Sequence, residues 1–156
     1  MHMFQRRFAL TVTVAMVGYL LSLMFVVQPT YALCMAPPEQ GTWINIDPNT
    51  RSLTRIKVQN VCKDQVHNGV PYPPGPDWYM QVFGRCTPKE CDWGKVGGEL
   101  RRDGYIFSVY NHGFARRYVY AKLSQARPGM LYVYTRTDFT DPGRQDYATK
   151  DWFRRN

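Results

Sequence analysis

The sequence predicts an all-β fold: an antiparallel up-and-down meander of about eight strands that closes into a barrel. Three observations predict it. From Gly41 onward, short runs alternate apolar with polar residues, the period of a half-buried strand. The runs are separated by turn sequences, namely Asp47-Pro48-Asn49-Thr50, Asp103-Gly104, Asn111-His112-Gly113, Arg127-Pro128-Gly129 and Asp141-Pro142-Gly143. Near the centre, Cys86 and Cys91 flank Thr87-Pro88 between two such runs, as a disulfide-stapled hairpin loop would.

The chain has 156 residues, which suits one domain, but its beginning reads as something else. Arg6 and Arg7 precede the uncharged apolar run from Phe8 to Val27, and Pro29-Thr30-Tyr31-Ala32 follows with small residues at the right offsets for cleavage after Ala32. This is the layout of a secretory signal peptide. An apolar run of this length is also long enough to span a bilayer as an uncleaved anchor, although the flanks favour cleavage. Residues 1–32 are therefore read as a signal peptide and residues 33–156 as a single secreted β-barrel domain. Without Arg6 and Arg7 the 20 basic residues fall to 18 against 12 acids, a net charge of about +6. Such a balance suits acidic partners, and a scattered pattern also serves solubility.

A Pro-containing lead-in ends at Gly41, and a short strand follows from Thr42 to Ile46. Leu53 to Gln59 sets Thr54, Ile56 and Val58 against Arg55, Lys57 and Gln59. Asn60 to Asp77 carries Pro71, Pro73, Pro74 and Pro76 and reads as a long loop, because prolines this dense do not sit inside a sheet. Trp78 to Arg85 opposes Trp78, Met80 and Val82 to Tyr79, Gln81 and Phe83. Asp92 to Leu100 returns, with Gly97-Gly98 marking a bend or bulge. Strands at Tyr105–Tyr110, Arg116–Ser124, Met130–Thr137 and Tyr147–Arg154 complete the meander. Eight strands can close on themselves, which removes exposed edges; an open sandwich is the alternative.

Cys34, Cys62, Cys86 and Cys91 all follow the predicted cleavage point, and an even count in an exported chain reads as disulfides. Four cysteines allow three connectivities. Hairpin proximity favours Cys86–Cys91, which leaves Cys34–Cys62. The competing reading is a metal site using the C-x4-C spacing with His67 or His112. An oxidising compartment argues against it, so no metal and no cofactor are expected.

Gly41-Thr42-Trp43 in the first strand, with Arg154 and Arg155 in the last, resembles the lipocalin and avidin-like (calycin) barrels. There a G-x-W opens the barrel and a basic residue of the final strand packs over the tryptophan. The resemblance implies that Trp43 is buried against Arg154 or Arg155 as a structural base. Gly41 to Arg51, Cys86 to Gly94 and Asp141 to Arg155 together resemble a group of small exported bacterial proteins, a likeness that implies export and no particular activity.

Catalysis needs a nucleophile, a base and a group that orients it. After residue 32 only His67 and His112 offer imidazoles, and neither G-x-S-x-G nor H-E-x-x-H is present. Glu90 and Asp92 lie close together, which by itself is little to build acid–base chemistry on; Glu90 and Lys89 suit a solvated loop tip, and Asp92 a bond to a local backbone amide. No catalytic residues are expected. More telling are Tyr118, Tyr120, Lys122, Tyr132, Tyr134 and Arg136, with Arg116, on one parity of two consecutive strands. Interleaved rings and cations can stack on sugars and neutralise acidic groups. Facing outward they form a flat patch; facing inward they line a polar-tipped cavity or simply belong to the core. The expected function is a secreted or periplasmic binding protein for a small ligand or an anionic glycan, without nucleic acid as a partner and without stable membrane insertion once the leader is cleaved. The alternative is a structural or interaction protein of the cell envelope, or an inhibitor that uses the Pro-rich loop 60–77. A deep lined cavity would favour the first, a filled interior with an outer aromatic patch the second.

Overall fold

A computed structural model describes residues 34–156; the signal-like segment lies outside the described residues. Ten strands follow in chain order: β1 (Gly41–Asn45), β2 (Leu53–Asn60), β3 (Gln65–His67), β4 (Val70–Tyr72), β5 (Trp78–Gly84), β6 (Cys91–Leu100), β7 (Ile106–Asn111), β8 (Ala115–Leu123), β9 (Met130–Phe139) and β10 (Tyr147–Arg155). Eight of them close an antiparallel barrel in the order β1-β10-β9-β8-β7-β6-β5-β2, and β1 pairs with β2 to complete the ring. The remaining two, β3 and β4, pair only with each other.

The alternating runs become alternating faces. Trp78, Met80 and Val82 of β5, Ile106 and Tyr110 of β7, Val119 and Ala121 of β8, and Leu131 and Val133 of β9 point inward and are buried. Their polar neighbours lie outside. Two strands depart from strict alternation: β6 carries an extra residue opposite Gln81–Phe83, and β2 is bulged near its start. A bulge between Leu53 and Arg55 leaves Leu53 and Ile56 both fully buried, three positions apart. Thr54 therefore does not share a side with Ile56, as a period of two demands, but reaches out to Glu90 at 2.7 Å.

The region expected as a long loop contains the β3–β4 hairpin. It turns at Asn68-Gly69, both at positive φ (53° and 78°), the signature of a two-residue hairpin turn. Pro71 is accommodated because the hairpin is isolated and all its residues are exposed. The disulfides pair Cys34 with Cys62 and Cys86 with Cys91, so no thiolate is left among the described residues to ligate a metal.

One end of the barrel is closed. Trp43 is 1% exposed, and its Nε1 donates to the Glu39 carbonyl at 2.8 Å. The Arg155 guanidinium carbon lies 4.5 Å from the centre of the Trp43 ring. Gly41 is required beside them: a Cβ there would come within 2.5 Å of Arg155 Nη1, and its φ of 143° suits glycine. Above this base, Phe153, Leu131, Met80 and Ile56 fill the interior. The loops after β1, β5, β7 and β9 all emerge at the opposite end, the one carrying the Cys86–Cys91 staple.

Candidate functional site: a polar cavity at the barrel mouth

At the stapled end the inward-facing residues change character. On β8 the side pointing into the barrel runs Leu123, Ala121, Val119, Arg117, and on β9 it runs Leu131, Val133, Thr135, Thr137. Arg117 and Thr137 are register partners, as are Val119 and Thr135. A cation and two hydroxyls thus replace aliphatic side chains in the last layers before solvent. They line a cavity of about 310 Å³ with Trp93, His112, Phe114 and Tyr147, rimmed by Arg51, Arg85 and Asp92.

Aromatic rings hold the cation. The Arg117 guanidinium carbon lies 4.3 Å from the centre of the Trp93 ring and 5.5 Å from that of Phe114. Trp93 stands edge-on to Tyr110 at 5.9 Å and to His112 at 5.4 Å. Its indole fits because position 84 is glycine: a Cβ there would meet Trp93 Nε1 at 2.7 Å. Tyr110 anchors the group from below by donating its hydroxyl to the Met80 carbonyl at 2.8 Å. Burial, and then the charge of Asp92, push that hydroxyl's pKa well above the ordinary tyrosine value. Burial, and then the charge of Arg117, hold His112 below the ordinary histidine value, so its neutral form is favoured.

Four buried polar atoms lining this cavity have no hydrogen-bond partner among the described residues: Arg117 Nε, His112 Nε2, Thr135 Oγ1 and Thr137 Oγ1. Buried polar groups are nearly always paired, so four orphans around one cavity are unusual. None of the three ion pairs among the described residues, Arg55–Glu90, Lys63–Asp77 and Arg136–Asp138, involves Arg117. Asp92 is occupied elsewhere, accepting from Gln81 at 2.6 Å and from the Gly94 amide at 2.8 Å, the backbone role expected of it. Chemically the cavity presents a fixed cation, aromatic walls and uncommitted donors and acceptors.

A wider groove of about 730 Å³ crosses the outside of the β6–β7 seam between Pro76, Gly97, Leu100 and Phe107. Size does not make it the better site. It is open to solvent, its Ser108 hydroxyl already donates to Gly97, and it converges no orphaned polar groups.

The six sequence-predicted ligand residues, Tyr118, Tyr120, Lys122, Tyr132, Tyr134 and Arg136, all face outward on β8 and β9. They come together on one surface, away from the barrel interior. Tyr120 and Tyr134 are register partners with ring centres 5.7 Å apart, and Arg136 pairs with Asp138 at 2.6 Å. Glu90 is exposed in the stapled loop, as expected, and from there also bonds Thr54 and Arg55. Partial burial alone would raise its pKa, but those bonds and the Arg55 charge hold it below the ordinary value. The mouth residues Arg117, His112, Thr135 and Thr137 were not anticipated as a site. Their signal was a basic residue on the same parity as Val119, Ala121 and Leu123.

Comparison with protein-family models, with characterised proteins and with solved structures finds no match to this chain.

Proposed function

We propose that this protein is an exported, non-catalytic binding barrel that holds a small anionic molecule at its mouth. One observation carries the reading: Arg117 Nε faces a cavity in which three further buried polar atoms, like it, have no partner among the described residues. An anion against Arg117 would accept a charge-assisted hydrogen bond from Nε, and Thr135, Thr137 and His112 supply the remaining donors and acceptors. Trp93 and Phe114 would cover an apolar part of the same molecule. A cavity of about 310 Å³ admits a compact ligand, and the packed core beneath it limits how deep that ligand can go. Among the described residues no carboxylate pairs with His112 to orient it as a base, which supports binding over catalysis.

Export rests on the signal-like segment together with the two disulfides, which belong to an oxidising, periplasmic or extracellular setting. No helix among the described residues is long and apolar enough to cross a membrane.

The test combines native mass spectrometry of protein purified from its source with thermal shifts against small carboxylates, sulfonates and phosphates. At about 100 times Kd, a ligand specific for the folded state stabilises it by roughly 2.7 kcal/mol, enough to read as a clear rise in Tm. Arg117→Gln is expected to abolish that rise. A panel that leaves the parent unmoved, with no co-purifying mass, would remove the reading. Two observations favour the alternative of an interaction protein: the barrel interior is filled beneath the mouth while the aromatic patch lies outside, and the β3–β4 hairpin exposes Val66, Val70 and Tyr72 at 70%, 58% and 50%. In that case deleting the hairpin would abolish partner capture and leave the thermal shifts unchanged.

A further inference from the structure

The outer face of β7 to β10 carries aromatic rings in rows that run straight across the strands. Phe107, Tyr120 and Tyr134 are successive register partners on β7, β8 and β9, and Lys150 of β10 ends the row. Their ring centres are 4.7 and 5.7 Å apart. In the adjacent row Lys122, Tyr132 and Trp152 are successive partners on β8, β9 and β10. Tyr132 stands 5.3 Å from Trp152, and Tyr105, just before β7, joins the rows at 6.2 Å from Tyr120 and 6.4 Å from Tyr132.

Cations lie on these rings. Lys122 Nζ is 4.0 Å from the Tyr105 ring centre, the Arg127 guanidinium 4.4 Å from Trp152, and the Arg101 guanidinium 5.3 Å from Phe107. None of the three forms an ion pair among the described residues. On the β2–β5 side Arg55 packs on Phe83 at 3.7 Å and is neutralised by Glu90, while Lys95 lies 4.8 Å from the Tyr79 ring centre without an ion pair among the described residues. Cross-strand ring pairs are a sufficient reason for aromatics on a sheet. They do not account for three cations gathered on those rings, none of them in an ion pair even though Glu99, the register partner of Phe107 on β6, continues the first row.

We propose that this face is a second binding surface, separate from the mouth, and that its occupant is an acidic polysaccharide. Charge complementarity selects a polyanion. The rings select one built of sugars: within the first row they follow one another at 4.7 and 5.7 Å across neighbouring strands, and a sugar's C–H face stacks on an aromatic ring. The tyrosine hydroxyls at the ring tips can bond sugar hydroxyls. Lys122, Arg127 and Arg101 would exchange their ring contacts for the carboxylates of the bound chain.

The experiment measures binding of the protein, with both disulfides formed, to polygalacturonate, neutral dextran, polyphosphate and phosphatidylglycerol vesicles at low and moderate salt. Expected is binding to polygalacturonate that weakens with salt and exceeds binding to both dextran and polyphosphate. Tyr120→Ala with Tyr134→Ala should weaken it at least tenfold. Lys122→Gln with Arg127→Gln should do the same, and these outward-facing charge changes keep the test valid if the tyrosine variant misfolds. Arg117→Gln should leave it unchanged, which separates this surface from the mouth. Equal binding to polyphosphate, binding to vesicles without binding to polygalacturonate, or full binding by Lys122→Gln/Arg127→Gln would each overturn the proposal.

Discussion

Arg155 lies with its guanidinium carbon 4.5 Å from the centre of the Trp43 ring, and the same group donates to the Gln40 carbonyl at 2.7 Å and the Pro38 carbonyl at 2.5 Å. The last strand thereby ties down both the first strand and the segment leading into it. Trp43→Ala is expected to destabilise the barrel by about 3–5 kcal/mol, the range for a large buried aromatic. Arg155→Ala should cost less, about 1–2 kcal/mol, since it removes a cation–π contact and hydrogen bonds that water can partly replace. Urea unfolding checks both. A Trp43→Ala midpoint close to that of the parent would show that the closed end is not held from this residue.

The two disulfides should contribute unequally. In the chain-entropy picture a cross-link stabilises more when it closes a longer loop, and the sequence separations are 28 for Cys34–Cys62 and 5 for Cys86–Cys91. Replacing both cysteines of a pair by serine is expected to cost about 3.5 kcal/mol for the first and about 2 kcal/mol for the second. The smaller stability loss should carry the larger loss of ligand affinity, because Cys86 and Cys91 line the mouth. Unfolding curves beside the binding assay decide between this order and its reverse.

The barrel was legible in the sequence because its strands are bounded by turn residues whose conformational preferences are local. Where a feature depended on pairing, the sequence misled. The bulge beside Thr54 follows from the register of β2 against β5, which no local pattern announces. The site divided in the same way. Parity placed Tyr118, Tyr120, Tyr132 and Tyr134 on one face, but which face is the inside depends on where the chain closes. The mouth was legible in principle, since Arg117 breaks an otherwise apolar parity, but its partners Trp93 and His112 come from other strands and loops and meet it only in the closed barrel.

Function and stability should part company at the mouth. Thr135 and Thr137 bury hydroxyls that make no hydrogen bond in the protein. Replacing an unpaired buried hydroxyl by a methyl removes a desolvation cost, so Thr135→Val and Thr137→Val are expected to leave Tm unchanged or raise it. Arg117→Gln removes a charge that forms no ion pair among the described residues but also its contacts with Trp93 and Phe114, so it is expected to cost no more than about 1–2 kcal/mol. All three should weaken binding of the small anion, by about tenfold for each threonine and more for Arg117. A loss of more than about 2 kcal/mol in stability for the valine variants would mean that these hydroxyls serve the fold.

His112 makes the mouth sensitive to pH. Burial, reinforced by Arg117, lowers its folded-state pKa below the ordinary 6.5, while Trp93, Tyr110 and Phe114 surround the ring without adding a carboxylate contact. As pH falls through 6.5, the unfolded chain takes up a proton that the folded protein does not, so stability drops. The drop begins near pH 6.5 and ends once the folded imidazole also titrates. Above that window the group contributes no pH dependence. Glu90, also lowered when folded, acts in a separate window below its ordinary 4.5. An anion bound against Arg117 offsets the charge that opposes protonation, so it should raise the His112 pKa and be coupled to proton uptake. For a ligand that stays ionised, affinity should therefore increase as pH falls through the His112 pKa of the complex toward the lower pKa of the free protein. An NMR titration of the His112 ring proton, with and without ligand and in Arg117→Gln, measures all three effects. The expected result is a pKa below 6.5 in the free protein that rises both with ligand and in the variant. A His112 that titrates at 6.5 or above in the free parent would show that neither burial nor Arg117 governs it.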